Sequence, residues 1–414
     1  MDNALYWIWL SLACIPGGES FRKLKEKFST PENIYAQNEA SIASVISSKA
    51  SDYGNLINKD LSEAQSVLGF CRSKKVGILT YDDESFPTSL RLIKNPPVLL
   101  YYRGILPDFN NEICISVVGT RRISEYGRKN AFSVSRDLAE AGAVIVSGMA
   151  TGNDGVAMAG ALSAGARTVA IIGSGIDVCY PPQHRRLAQE IVKKGCVFTE
   201  YKPTTPPNGE NFPVRNRLIS GLSVATVVIE GRERSGAVII ARRAKEQERR
   251  VFALPGNVGN KNSEGSNLLI KNGAGLFTSA DDIISALEKE YPGKLNPFNI
   301  TGQKVNMFDY LKEYRISCVT PGDDIFKVKI NKKKESPKVV EQKKESVSES
   351  DVANLSAIDA KTLALYKKIP INAEIATNDL IDNEHSLKDV MQGILKLEMM
   401  RFVTVLPGDR VSRK

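Results

Sequence analysis

Six short apolar runs recur along the middle of the chain, separated by longer stretches with apolar residues at helical spacing. The runs occupy residues 113–118, 143–146, 168–172, 197–199, 224–229 and 251–254. Because each run is almost continuously apolar, the set is typical of parallel strands buried on both faces. In one intervening stretch, Phe132, Ser135 and Leu138 share a helical face before Gly142 ends the helix. The pattern predicts a doubly wound α/β domain over residues 113–295.

Residues 1–70 have the spacing of short helices. Trp7, Leu10 and Cys14 share a helical face, and a Pro16-Gly17-Gly18 turn ends that helix. Two helices around a glycine turn occur in helix-hairpin-helix and sterile-alpha-motif-like modules, whose turns bind DNA phosphates through backbone N–H groups. A small helical docking domain has the same pattern, and the weakly basic surroundings of this turn favour docking. Residues 71–112 predict a connector that contains two strands.

The chain after residue 295 divides into a tether and a small module. Residues 296–354 read as a variable segment and a disordered linker, because residues 331–352 contain few residues that build a core. The basic run Lys332-Lys333-Lys334 in this linker contacts DNA or merely keeps the tether solvated. Residues 355–414 predict three helices, the second at residues 376–381, and a hairpin, which is the order of a winged helix. Its third helix has little basic character, so contact with protein or with a DNA backbone is expected.

Most of the predicted strands end in glycine, at Gly119, Gly148, Gly173, Gly231 and Gly256. In open α/β sheets, ligands bind outside the carboxyl ends of the strands, where glycine lets them approach the backbone. Helices that begin there direct free N–H groups and a positive dipole end toward the same edge. Any one of these glycines, taken alone, is equally well explained by a tight turn between a strand and a helix.

Residues 211–217 combine an aromatic ring with cations where a helix begins. Phe212 precedes Pro213, and Arg215, Asn216 and Arg217 follow. A stiffly held ring is suited to stacking on a nucleic-acid base, although a core contact would explain it too. One arginine is expected to face phosphate and the other the core or a dimer partner. Asn216 contacts a base edge or ties the turn to its own backbone.

Two further positions are expected to join these residues at the same edge. Arg121 follows the first strand-end glycine, beside Thr120, where it meets a phosphate at a helix start. The Ser235-Gly236 pair also opens a helix, so it binds phosphate through N–H groups or simply caps that helix.

The composition narrows the classes of function. A length of 414 residues favours two or three domains. A net charge of +9 indicates either an acidic partner such as nucleic acid or a chance excess of positive charge on the surface. Six scattered cysteines without a CxxC pair and only two histidines make a metal site or a Ser-His-Asp triad improbable. The apolar run at residues 6–15 is too short to span a bilayer, so a cytoplasmic protein without membrane contact is expected.

The chain resembles the DNA-processing protein A family (DprA/Smf) of bacterial natural transformation over nearly its whole length. The matching motifs include Val118-Gly119-Thr120-Arg121, Ser147-Gly148, Tyr180-Pro181, Phe212-Pro213-x-Arg215-Asn216-Arg217, Ser235-Gly236 and Leu254-Pro255-Gly256. The resemblance implies an extended Rossmann-like domain that binds and protects single-stranded DNA and loads the recombinase RecA onto it. It also implies a homodimer formed through that domain, with a helical N-terminal and a winged-helix-like C-terminal domain as additions. No enzymatic reaction and no cofactor are implied.

Three positions depart from that family's pattern. Thr151 and Met158 stand where the family often has arginine and histidine, and Gly209 lies where a lysine often precedes the Phe-Pro pair. Lys202 is a candidate replacement for that lysine. The expected DNA site consists of Gly119, Thr120, Arg121, Ser147, Gly148, Gly173, Lys202, Phe212, Arg215, Asn216, Arg217, Ser235, Gly236 and Gly256.

Two other classes of function compete with DNA binding. A nucleotide-binding enzyme resembling phosphoribohydrolases would need a general base, for which Asp177, Glu200 and Glu230 are the acids near strand ends. The loop at Pro255-Gly256 lacks the glutamate that those enzymes place there, and the spacing of a dinucleotide-binding loop is also missing. A pure protein scaffold would show no affinity for DNA.

Overall fold

The computed structural model describes residues 3–303, 305–316, 359–369, 374–382, 386–399, 402–406 and 410–413. The chain forms two units, Met1–Lys327 and Val328–Lys414, which are described separately below. The linker predicted at residues 331–352, with its run of three lysines, lies outside the described residues. Among those that are described, no helix is long and apolar enough to cross a bilayer.

A nine-stranded sheet forms the centre of the first unit, in the order β1-β2-β6-β5-β4-β3-β7-β8-β9. Its strands are β1 (Gly77–Thr80), β2 (Leu99–Gly104), β3 (Cys114–Val118), β4 (Val144–Ser147), β5 (Thr168–Ile171), β6 (Cys196–Thr199), β7 (Ala225–Val228), β8 (Arg250–Ala253) and β9 (Gly275–Leu276). Strands β3 to β9 are mutually parallel, and every residue of β3 to β7 is buried. The six apolar runs are therefore the parallel strands that the pattern predicts, and the doubly wound fold is confirmed.

Helices cover both faces of this sheet and connect its strands. They are α1 (Asn3–Ala13), α2 (Ser20–Phe28), α3 (Pro31–Tyr35), α4 (Glu39–Ala43), α5 (Tyr53–Ile57), α6 (Ser62–Ser73), α7 (Thr88–Arg91), α8 (Glu125–Glu140), α9 (Asn153–Ser163), α10 (Arg185–Lys194), α11 (Asn211–Leu222), α12 (Gly236–Glu246), α13 (Glu264–Lys271), α14 (Ala280–Leu287) and α15 (Met307–Glu313). Helices α8 to α13 alternate with the parallel strands, because each pair of consecutive parallel strands needs a crossover connection.

The predicted connector contributes directly to the central sheet. Strand β2 pairs antiparallel with β6, with Arg103 opposite Val197, and β1 pairs antiparallel with β2. The N-terminal helices share a hydrophobic core with the sheet, in which Trp7 and Leu10 are fully buried. Residues 3–104 and the Rossmann-like sheet thus have a continuous apolar interior.

The second unit is small and has its own core. It contains α16 (Ala360–Lys368), β10 (Glu374–Ala376), a 3₁₀ turn (Thr377–Leu380), α17 (Leu387–Met399), β11 (Val403–Leu406) and β12 (Arg410–Arg413). The strands form a sheet in the order β10-β12-β11. A helix predicted at residues 376–381 is instead the end of a strand and a 3₁₀ turn, because the segment from residue 374 pairs with β12. The winged-helix assignment of this unit remains a prediction.

Candidate nucleic-acid interface

A groove of about 770 Å³ lies at the carboxyl edge of the sheet, beside the ends of β3 and β7. From β3 the chain builds β4, β5 and β6 to one side, then returns to place β7 against the other side of β3. The strand order reverses there, and open α/β sheets bind their ligands at such a switch point. The groove is lined by eight predicted site residues, namely Gly119, Thr120, Arg121, Phe212, Arg215, Asn216, Ser235 and Gly236.

Phe212 stands on the first turn of α11 and is half-buried in this groove. Its ring centroid lies 5.7 Å from that of Tyr180, and the two rings are tilted by 44°. The guanidinium carbon of the exposed Arg121 lies 5.4 Å from the Phe212 centroid, within cation–π range. Three flat groups, one of them charged, therefore meet at one end of the groove.

Space for the Phe212 ring depends on a glycine at the end of β5. A Cβ atom added at Gly173 would lie 3.3 Å from Phe212 Cδ1, so a larger side chain there would push on the ring. The side-chain amide of Asn211 donates to the Gly173 carbonyl at 3.0 Å, which ties the start of α11 to the same strand end. Gly173 thus acts through Phe212 and is absent from the groove lining itself.

Arg215 is buried and ties α11 to the ends of β4 and β5. Its Nη1 donates to the Gly148 carbonyl at 2.9 Å and also to the Ile171 carbonyl. Burial lowers the pKa of Arg215 to about 10, and the nearby Asp154 carboxylate opposes this shift. The guanidinium therefore stays charged at neutral pH, behind the Phe212 ring at 5.8 Å from its centroid.

The two arginines of α11 have different environments, because Arg215 lines the groove and Arg217 faces the core. Arg217 forms a buried two-point ion pair with Glu200, with Nη1–Oε1 at 2.6 Å and Nη2–Oε2 at 2.7 Å. Its Nε donates to the Asn95 carbonyl at 3.0 Å, away from the groove. The expectation that Arg217 belongs to the groove is corrected, because α11 carries residues 215 and 217 on different faces.

Other predicted site residues also lie outside the groove. Lys202 is exposed and forms a surface ion pair with Glu63 of α6. Ser147 is fully buried, and its hydroxyl donates to the Val117 carbonyl at 2.8 Å. The Gly256 N–H donates to Asn267 Oδ1 at 3.1 Å, so that backbone group is occupied within the chain. Ser147 and Gly256 therefore support the strand ends, and Lys202 is paired with Glu63 outside the groove.

Gly148 has a packing role next to the groove. A Cβ atom there would lie 2.7 Å from Arg215 Nη2 and 2.8 Å from Asp154 Oδ2. Asp154 lines the groove and accepts the Ala150 N–H at 3.2 Å, and burial raises the pKa of its carboxyl group. The absence of a side chain at Gly148 is what lets the guanidinium and the carboxylate approach the same point.

Helix α12 begins at the groove, and α8 begins close by. Ser235 caps α12 by accepting the Val238 N–H at 3.5 Å, so the positive end of this helix faces the cavity. At the start of α8, the buried Glu230 accepts hydrogen bonds from the Ser124 N–H at 2.9 Å and from the Ser124 hydroxyl. Glu230 thereby holds the loop that carries Arg121, a role that the sequence did not reveal.

Two groove residues were missed as site candidates. Tyr180 is 37% exposed and contacts Phe212, although the sequence indicates it only through the Tyr180-Pro181 motif. Arg122 also lines the groove, although the sequence pattern indicates only its neighbour Arg121. Both lie on loops at the carboxyl edge of the sheet. An aromatic or cationic residue in such a loop is the sequence feature that would have identified them.

The fold and groove define a Rossmann-like protein with a basic, aromatic-lined cleft at its switch point. The sequence model of DNA recombination-mediator protein A matches residues 77–288, and the chain belongs to this family. It is 28% identical over 424 residues to Protein Smf of Synechocystis, covering 99% of this chain and 98% of that protein. It is 34% identical over 250 residues to the DNA processing protein DprA of Bacillus subtilis, covering 60% of this chain and 84% of that protein.

A solved structure has the same architecture. The X-ray structure of DNA processing protein A from Streptococcus pneumoniae is 31% identical in sequence and superposes with a TM-score of 0.61. The match covers 69% of this chain and 98% of that one. The α/β core of the first unit is therefore the fold of a DprA protein.

Proposed function

We propose that the switch-point groove binds single-stranded DNA. The observation that carries the proposal is the Phe212 ring, held half-buried against Tyr180 and beneath the exposed Arg121 guanidinium. Stacking on aromatic rings recognises any base, and it contributes about 1–3 kcal/mol per base. Arg121 and the N-terminus of α12 supply the positive charge that a phosphate backbone requires. A duplex keeps its bases stacked inside, so it cannot use the ring.

Binding without catalysis is part of the proposal. The three acids considered as general bases are engaged in the fold: Glu200 with Arg217, Glu230 with Ser124, and Asp177 with the Thr204 N–H at 2.7 Å. Each carboxylate therefore fixes a loop or helix beside the groove. This favours a DNA-binding role over the phosphoribohydrolase-like alternative.

The test measures the affinity of a fluorescent thymidine oligomer by anisotropy, with a duplex of equal length for comparison. Arg121→Ala should weaken single-strand binding by about 1.5–3 kcal/mol, the range for a hydrogen bond to a charged group. It should also reduce the salt dependence of log K by about 0.7. Lys129→Ala on α8 removes an equal charge from an exposed ion pair with Glu125 and should change neither quantity. If the two variants behave alike, the groove is not the site.

We further propose that the bound strand is protected and handed to RecA by a homodimer joined through the Rossmann-like domain. Membership of a family described as recombination mediators supports this assignment. The test is RecA-dependent strand exchange on DNA coated with single-strand-binding protein, together with sedimentation of the free chain. Stimulation should disappear with Arg121→Ala, and a monomeric species at micromolar concentration would contradict the dimer.

A further inference from the structure

Three loops at the carboxyl edge are hydrogen-bonded into one surface. They follow β3, β7 and β8. The Asn262 side-chain amide donates to the Arg122 carbonyl at 3.0 Å, and the Gly231 N–H donates to the Asn262 carbonyl at 2.7 Å. The Gly265 N–H then donates to the Gly231 carbonyl at 2.7 Å. These bonds hold the three loops in fixed relative positions.

The three loops carry four exposed cations, here called the basic rim: Arg122, Arg232, Arg234 and Lys261. Within the described part of the chain, none of the four forms a salt bridge. The exposed carboxylates among them are Glu233 and Glu264, and the buried Glu230 is bound to Ser124. Positive charge is therefore in excess along the rim.

Cations elsewhere on this unit are often paired. Lys129 pairs with Glu125, Arg167 with Glu112, and Arg250 with Glu290. Unpaired cations in one cluster repel one another, which is unfavourable unless an anionic partner binds there. Their position at the ligand-binding edge of the sheet indicates such a partner.

The rim continues directly from the groove. Arg122 and Ser235 line the groove, and the Ser235 N–H donates to the carbonyl of Arg232 at 2.9 Å. Tyr126, on the first turn of α8, is 48% exposed, and its hydroxyl donates to the Pro255 carbonyl at 2.8 Å. Tyr126 thus presents an open aromatic ring between the loops after β3 and β8.

We propose that a single strand longer than the groove leaves it past Ser235 and continues over the basic rim. The four cations contact its phosphates, and the Tyr126 ring stacks on a base. This inference rests on the proposed function, since the groove must bind the first part of the strand. It names the side from which the strand leaves and a second contact zone outside the groove.

The test compares two thymidine oligomers, one of about 6 nucleotides that fills the groove and one of about 20 that reaches the rim. The triple variant Arg232→Ala, Arg234→Ala, Lys261→Ala should bind the short oligomer like wild type. For the long oligomer, the slope of log K against log salt should fall by about 2, three lost contacts at about 0.7 each. Tyr126→Ala should weaken only the long oligomer, whereas Tyr126→Phe should keep the stacking.

A matched control removes three exposed cations outside the rim, with Arg242→Ala, Lys271→Ala and Lys289→Ala. Equal salt slopes in the rim and control variants would overturn the inference and leave the groove intact. A rim variant that binds the short oligomer more weakly as well would also overturn it, because the rim would then belong to the groove. If the wild type binds neither oligomer, the proposed function itself fails.

Discussion

Arg217 and Glu200 form a two-point ion pair whose side chains are only 10% and 5% exposed. The pair joins α11 to the end of β6, and Arg217 also holds the Asn95 carbonyl. It thus fixes the helix that presents Phe212 to the groove, without lining the groove itself. Arg217 therefore has a structural role, although it lies only two positions from Arg215 of the groove.

We expect Glu200→Gln to destabilise the protein strongly, because it leaves the Arg217 charge buried without its partner. Breaking a buried pair typically costs about 3–5 kcal/mol of unfolding free energy. The double variant Glu200→Leu, Arg217→Met should lose less than Glu200→Gln, since it leaves no unpaired charge. Urea unfolding measures both. A loss below about 1 kcal/mol for Glu200→Gln would contradict a buried pair.

We expect Phe212→Ala to weaken binding of a short thymidine oligomer by about 1–3 kcal/mol, because one stacking surface is lost. No charge is removed, so the salt dependence of log K should stay at its wild-type value, unlike that of Arg121→Ala. Phe212→Leu is the matched control for apolar contact without a π face, and it should bind as weakly as Phe212→Ala. Wild-type affinity in Phe212→Leu would show that the ring only fills space.

We expect Gly148→Ala to perturb the protein although it adds a single methyl group. The new Cβ atom would lie within 2.8 Å of both the Arg215 guanidinium and the Asp154 carboxylate. Overpacking of this kind typically costs about 1–3 kcal/mol of stability. DNA affinity should fall with it, because Arg215 holds α11 and hence Phe212. Thermal unfolding and anisotropy measure the two effects.

The control for that substitution is Gly69→Ala in α6. Apart from its chain neighbours and the backbone of α6 itself, no atom lies within 4 Å of a Cβ atom added there. Alanine favours a helix interior over glycine by up to about 1 kcal/mol. Gly69→Ala should therefore leave stability equal or higher and DNA affinity unchanged. A Gly148→Ala protein that resembles Gly69→Ala would show that the site relaxes without cost.

The parallel strands were predictable because strands buried on both faces are nearly continuous runs of apolar residues. The groove followed from a rule about the edge of such sheets, which needs only strand order and the loops that carry Arg121, Phe212 and Ser235. The sequence did not predict which carboxylates pair with individual cations. Glu63 is 139 positions from Lys202 in the sequence, and no periodicity relates such residues. Tertiary contacts decide which cations are engaged and which remain available to a ligand.

The C-terminal unit shows the same limit at the level of secondary structure. Residues 376–381 have helical spacing, yet the segment starts as a strand because β12 lies beside it and supplies hydrogen bonds. Similarly, the strands of the connector were predicted, but their antiparallel addition to β6 was not. A strand's pairing partner depends on the whole sheet, and local composition does not encode it.

We expect His184 to make the stability of the first unit depend on pH. It follows Pro182 in a 3₁₀ turn before α10, is fully buried, and its Nδ1 lies 3.0 Å from the Met149 carbonyl. Its Nε2 is buried and has no hydrogen-bond partner within the described part of the chain. Burial lowers the pKa of His184 below its ordinary value, and the contact with Met149 opposes this shift only partly.

The folded protein therefore binds a proton at His184 less readily than the unfolded chain does. Below about pH 6.5 the unfolded chain takes up this proton first, so stability falls as pH decreases, by up to about 1.4 kcal/mol per unit. Above that pH both states are neutral at this residue and the effect vanishes. We expect His184→Gln to lose less stability than wild type between about pH 7.5 and about pH 5.5, as measured by urea midpoints. Parallel losses in the two proteins would show that other groups carry the acid sensitivity.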